Sequence, residues 1–302
     1  MIKEIGNVKL DYSFFSEKKT DRVSSVEEEI LECVKNEPNV LTILQNDQRW
    51  QVLYHLSPVR QNILEWYDFD GNAECLEIGS ECGAITEVLS RKMRYVDCVD
   101  PSDLRCQINA YRNKDLSNIN IFVSDFQSLN LDKKYEYITL IGVLDRLDDY
   151  FNDDFSYTDL LIKLKSMLKP NGKLLIAVEN KYGLNNWSGH ADDKTGRYFA
   201  SIIGANKTSE NSMSFTKEKL NSLLLESGFS NCRYYYPIPD YKFPTQIFSD
   251  DNLPKSSDIV FENVTYDNIA LKLFDENDAM KELIADGMFP VFANSFFVES
   301  GV

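Results

Sequence analysis

Apolar and polar positions alternate between short buried runs and helical stripes. Residues 73–78 form an apolar run broken by Glu74 and Glu77, and the run ends at Gly79, which predicts a buried strand entering a turn. Ile85, Val88 and Leu89 follow at helical spacing, so a helix is expected from about Ala84. Residues 96–100 predict a second strand ending on Asp100, 118–123 a third and 137–143 a fourth. Leu160, Leu161, Leu164, Met167 and Leu168 share one helix face, which stops at Pro170-Asn171-Gly172. Residues 173–178 then predict a fifth strand. A further helix has Thr216 as N-cap, Phe215 and Leu220 as a hydrophobic staple and Gly228 at the C′ position, and the aromatic strand 232–236 follows it.

Strand and helix in alternation predict an α/β fold with a mostly parallel sheet and right-handed crossovers. The flanks differ in character. In residues 1–70, Val26, Ile30, Leu31 and Val34 mark an amphipathic helix and 62–67 a second one, giving a helical N-terminal extension, or lid, of the kind that closes one side of a ligand cavity. Residues 71–236 form the core. Residues 237–302 open with a proline-rich loop, carry a helix with Met280, Leu283 and Ile284 that ends at Gly287, and finish on the apolar strand 295–298.

The turn after the first strand carries the chemistry. A strand, a glycine turn, a helix and a second strand tipped with an acid make a site for an adenosine-bearing cofactor, with turn amides for a negative group and an acid for ribose hydroxyls. A dinucleotide site wants G-x-G-x-x-G, and counted from Gly79 the next two glycine positions hold Glu81 and Ala84. A glutamate where phosphates should press is electrostatically wrong. The pattern Glu77-x-Gly79-x-x-x-Gly83 instead resembles the first motif of class I S-adenosylmethionine-dependent methyltransferases, usually E/D-x-G-x-G-x-G, with Glu81 in place of the middle glycine. That cofactor carries a sulfonium and an ammonium, which nearby acids favour.

The resemblance implies a doubly wound, seven-stranded, mostly parallel sheet whose antiparallel last strand is 295–298, preceded by a loop and helix insertion. It implies S-adenosylmethionine as cofactor. Glu77 would reach the methionine ammonium through backbone or water, Gly79 and Gly83 would pass close to the cofactor, and Asp100 would hold the ribose. Asp125 and Phe126 would meet the adenine.

Composition narrows the partners. A net charge of −16, without a lysine and arginine cluster, disfavours nucleic acid and anionic membrane surfaces as partners. The six cysteines contain no C-x-x-C pair, and several fall in apolar strands, so they read as reduced small hydrophobes and no metal site is expected from them. With no signal-like apolar stretch at the amino terminus, a soluble cytoplasmic protein is expected.

Residues 179–199 are the other dense patch of polar chemistry, a long loop leaving the fifth strand at the ligand end expected of such a sheet. Methyl transfer to a hydroxyl needs an in-line acceptor and a base for its proton. His190, oriented by Asp192 or Asp193 or replaced by them, is the candidate catalytic group; the same two acids holding a divalent metal is the alternative. Asn180, Arg197, Tyr54 and His55 are candidate acceptor-binding residues, and His55 is either a second candidate base or a packing residue.

Segments 54–60, 138–144, 179–184, 195–197, 239–244 and 294–298 are similar to a bacterial methyltransferase group found with surface-glycan and secondary-metabolite enzymes. That similarity implies O-methylation of a sugar or other small hydroxylated molecule. A methyltransferase-like binding module without catalysis is the second reading, and the glycine spacing disfavours a nicotinamide-dependent oxidoreductase. The acceptor, metal dependence and oligomeric state stay open on sequence alone.

Overall fold

The apolar runs of the sequence become the strands of an α/β fold. The computed structural model describes residues 1–15, 25–37, 39–147, 156–192, 195–205, 213–259 and 271–302. The chain divides into two units: residues 1–140 with 166–173, and residues 141–165 with 174–302.

The first unit begins with β1 (Ile2–Ile5) and β2 (Val8–Asp11), then α1 (Ser25–Asn36), α2 (Val40–Asn46), α3 (Trp50–Leu56), a 3-10 turn at Pro58–Gln61 and α4 (Asn62–Glu65). The alternating part follows: β3 (Glu74–Ile78), α5 (Thr86–Lys92), β4 (Tyr95–Asp100), α6 (Asp103–Arg112), β5 (Ile119–Val123) and β6 (Tyr135–Ile141). The strand order is β1-β2-β5-β4-β3-β6. Strands β2, β5, β4, β3 and β6 pair in parallel, as strand–helix alternation dictates. Ser102 caps α6 by accepting the Arg105 amide, so the helix starts just past Asp100.

The β1–β2 hairpin is an addition to the expected helical extension. Each of its strands is four residues long and β1 exposes three of them, too short and too polar a pattern to stand out. Val8 and Leu10 are nonetheless buried, and β2 pairs in parallel with β5. The predicted helices are present: Ile30, Leu31 and Val34 of α1 join Ile43, Val52, Leu56 and Ile108 in one apolar cluster. Cys82, from the glycine turn, belongs to the same cluster.

The helix at Tyr157–Met167 and β7 (Leu168–Glu179) each have residues in both units, and the second unit goes on with helices at Leu184–Ser188, Ala200–Ile203 and Lys217–Glu226, β8 (Ser230–Ile238) and β9 (Gln246–Ser249). Helices at Glu276–Ala285 and Phe289–Phe292 precede β10 (Ser295–Gly301). The order here is β7-β10-β8-β9, with β10 antiparallel to β8 as expected of the last strand. Ten strands stand in place of seven among the described residues, the additions being β1, β2 and β9. Thr216 caps its helix by accepting the Lys219 amide, and Gly228 ends it at φ +83°. The Pro170-Asn171-Gly172 turn falls inside β7, with Asn171 at φ +64°. Among the described residues, no helix is long and apolar enough to cross a membrane.

Candidate functional site

The turn between β3 and α5 folds back on itself through three left-handed residues, Gly79 at φ +69°, Glu81 at φ +44° and Gly83 at φ +80°. Gly79 donates its amide to the Val99 carbonyl at 2.8 Å, which ties the turn to β4. Gly83 has a packing reason for being glycine. A Cβ there would lie 2.4 Å from Asn109 Oδ1 and 2.8 Å from Asn113 Nδ2, so α6 comes to rest directly on the turn.

Glu77, the acid before the turn, faces inward. Its Oε2 accepts from Thr86 Oγ1 at 2.6 Å and from Cys98 Sγ at 3.3 Å, and Asn109 Nδ2 donates to Thr86 Oγ1 at 3.0 Å. Burial pushes its pKa up to about 7, against the lowering effect of those two hydrogen bonds. Asp100 ends β4 with no exposed surface. Its Oδ2 accepts the Glu81 amide at 2.9 Å and its Oδ1 the Ser102 amide at 3.0 Å. Burial raises its pKa to about 6, opposed by the charge of Arg105 and by the two amides. A carboxylate oxygen has a second lone pair, so each can still accept from a hydroxyl.

Glu81 meets a cation that the sequence pattern does not single out. Arg60 Nη1 lies 3.3 Å from Glu81 Oε2, and both side chains are buried. Arg60 also donates to the Tyr54 carbonyl and, through Nη2, to the Tyr54 hydroxyl, each at 3.2 Å, while its guanidinium stacks 4.0 Å from that ring's centre. Tyr54 therefore holds Arg60. The only hint in the sequence is an arginine inside the apolar 54–67 stretch. His55 is buried beside them, 3.7 Å from Glu27, with Nδ1 lacking a hydrogen-bond partner among the described residues. Burial lowers its pKa to about 4, so the ring is neutral near pH 7.

Asp125 accepts the Ser128 amide at 2.7 Å and its hydroxyl at 2.9 Å, one on each oxygen, and Phe126 is buried. This acid caps a turn.

In the second unit, His190 pairs with a residue outside the 179–199 loop. Its Nε2 lies 2.9 Å from Glu276 Oε1, and Ser188 donates its hydroxyl to the same oxygen. Glu276 opens its helix right after the Asp275 cap, and nothing in its spacing points to His190. Asp192 serves its own turn, where its Oδ1 accepts from the amide and hydroxyl of Thr195, both at 2.9 Å. Asp193 lies outside the described residues. Arg197 is exposed, and its carbonyl accepts the Asp192 amide. Asn180 is buried and donates to the Val291 and Ala293 carbonyls at 2.8 and 2.7 Å, a bond set that locks the end of β7 to the start of β10.

The residues around the turn suit a cationic donor. Glu77 lies two residues before Gly79, Glu81 two after it paired with Arg60, and Asp100 accepts the Glu81 amide, a set that repels a pyrophosphate and favours a sulfonium and an ammonium. Residues 49–233 match a family model described as a methyltransferase domain. No curated protein matches the chain. Similar solved structures include a methyltransferase of Archaeoglobus fulgidus, with 15% identity, 82% of this chain and 94% of that one covered, and a TM-score of 0.49. Another, of Thermotoga maritima, shares 12% identity over 90% of this chain and 99% of that one, at a TM-score of 0.47. A phosphoethanolamine N-methyltransferase of Haemonchus contortus, solved with phosphoethanolamine and S-adenosylhomocysteine, shares 16% identity over 72% of this chain but 45% of that one, at a TM-score of 0.46. The chain thus spans under half the length of that last relative. With more than half of its residues in the family match, and the acid-lined glycine turn inside the matched span, this chain belongs to the methyltransferase domain family, enzymes that take their methyl group from S-adenosylmethionine.

Proposed function

We propose that this methyltransferase acts on a hydroxyl of a small acceptor, a sugar or a sugar-bearing metabolite. The observation that carries the donor side is the carboxylate cluster at the glycine turn, with Asp100 held by the Glu81 and Ser102 amides at the end of β4. S-adenosylmethionine supplies a methyl group made electrophilic by its sulfonium. The chain's residues do the rest. Asp100 accepts from ribose hydroxyls through its remaining lone pairs. Glu77, bound to Thr86, sets the negative potential behind Gly79 without itself reaching out. His190 takes the proton of the acceptor hydroxyl. Glu276, 2.9 Å from Nε2, orients the ring and stabilises the imidazolium that proton transfer forms.

Calorimetry with S-adenosylmethionine, S-adenosylhomocysteine and NAD tests the donor side. Micromolar affinity for the first two and none for NAD is expected; binding of NAD alone, or of nothing, overturns the reading. Asp100→Ala is expected to weaken S-adenosylhomocysteine binding by about 1–2 kcal/mol, the cost of lost hydrogen bonds to a charged group. An unchanged dissociation constant removes Asp100 from the donor site. Release of S-adenosylhomocysteine in the presence of nucleotide sugars and methyl glycosides, compared with ethanolamine-type amines, tests the acceptor class. Transfer to the amines alone would overturn the hydroxyl assignment.

A further inference from the structure

Glu81 breaks the glycine pattern at one of the three positions where the turn is left-handed, and it is the one of the three that is not glycine. Its φ of +44° lies in the region glycine favours, and its side chain is buried at the turn instead of standing in solvent. The backbone on either side is held in place: the Glu81 amide is bound by Asp100, and the Cys82 side chain is packed among α1, α2 and α3. The glutamate carboxylate meets a buried cation. It reaches Arg60 at 3.3 Å, longer than the 2.7–2.9 Å of a well-formed charge-assisted bond.

Arg60 is the better-built half of the pair. Its guanidinium is 4% exposed, stacked on Tyr54 and bonded to the Tyr54 carbonyl and hydroxyl, so its position does not depend on Glu81. An arginine cannot shed its charge on burial and needs an anion beside it. The methyl donor brings one, the α-carboxylate of its methionine part, along with two cations that suit Glu77 and Asp100.

We propose that Glu81 is a built-in competitor for the donor: its carboxylate pairs with Arg60 at the place the donor's carboxylate takes. Donor entry exchanges one carboxylate for another on a fixed guanidinium, and Glu81 swings away from the turn. The affinity of this enzyme for its donor is thereby set below that of the same site with glycine in the middle of the turn. The inference rests on S-adenosylmethionine as donor.

The test compares S-adenosylhomocysteine, which has the carboxylate, with 5′-methylthioadenosine, which lacks it, by calorimetry on the wild-type chain, Glu81→Gln and Glu81→Gly. Glycine adopts the left-handed turn freely, so Glu81→Gly should fold. Both variants are expected to bind S-adenosylhomocysteine at least tenfold more tightly than wild type, with 5′-methylthioadenosine changed less than twofold. Equal or weaker S-adenosylhomocysteine binding in both variants overturns the competitor role. Equal tightening of the two ligands also overturns it, because the gain would then come from a roomier turn and not from Arg60. If no form binds either ligand, the donor assignment itself falls, a result distinct from the other two.

Discussion

Gly83→Ala is expected to destabilise the fold by about 4–7 kcal/mol. Three costs combine. An alanine at φ +80° pays roughly 1–2 kcal/mol for left-handed backbone. Its Cβ would stand 2.4 Å from Asn109 Oδ1 and 2.6 Å from Asn109 Cγ, an overlap that costs a further ~1–3 kcal/mol to relieve. Asn109 has no exposed surface, and it is held by bonds to Thr86 Oγ1 and Asn113 Nδ2, so moving it breaks hydrogen bonds worth about 1 kcal/mol each. Urea denaturation of the two proteins measures the sum. A loss below about 1 kcal/mol would mean that α6 yields easily and that the close approach is not rigid. The damage should also spread, because Thr86, the partner of Asn109, is the residue that binds Glu77.

The second large effect is on the pH dependence of stability. Glu77 is fully buried and its pKa rises from the ordinary 4.5 to about 7. Between those values the unfolded chain has lost the proton and the folded chain keeps it, so unfolding releases a proton and stability falls as pH rises. Below 4.5 both states are protonated and nothing is lost; above about 7 the whole penalty is present. At 1.36 kcal/mol per unit, it is on the order of 3 kcal/mol. Asp100, raised from 3.8 to about 6, acts in the same direction. Glu77→Gln keeps an acceptor for Thr86 and removes the titration. Relative to wild type, the variant should gain about 3 kcal/mol between pH 4.5 and pH 7.5, seen as diverging urea midpoints. A constant difference across that range would place the ionised Glu77 in a far more polar setting than its contacts describe.

The residual negative charge of such a site is a functional asset. Desolvated acids are costly in an empty chain, and a bound cation relieves that cost. The same buried carboxylates that weaken the ligand-free fold near neutral pH would make the cationic donor a stabilising ligand.

Local patterns carried much of this molecule. The strands from β3 to β8 are apolar runs ended by glycine, proline or acid, and the helix capped by Thr216 and closed by Gly228 was legible because caps and turns depend on a few adjacent residues. The acids at 77 and 100 and the odd glutamate at 81 were equally plain, since the strand–turn–helix spacing places them. Pairing across distance was not legible. The four-residue strands of the β1–β2 hairpin have no periodicity to announce them, and β10 lies between β7 and β8 although it comes last in the chain. Likewise Arg60 on Glu81 and Glu276 on His190 are single polar contacts between remote segments. Residue types and their spacing thus set the strands, the caps and the chemical character of the turn. Which charge neutralises which was decided only by packing: burial makes an unpaired ion too costly, and the partner that relieves it is whichever side chain the folded backbone brings within reach.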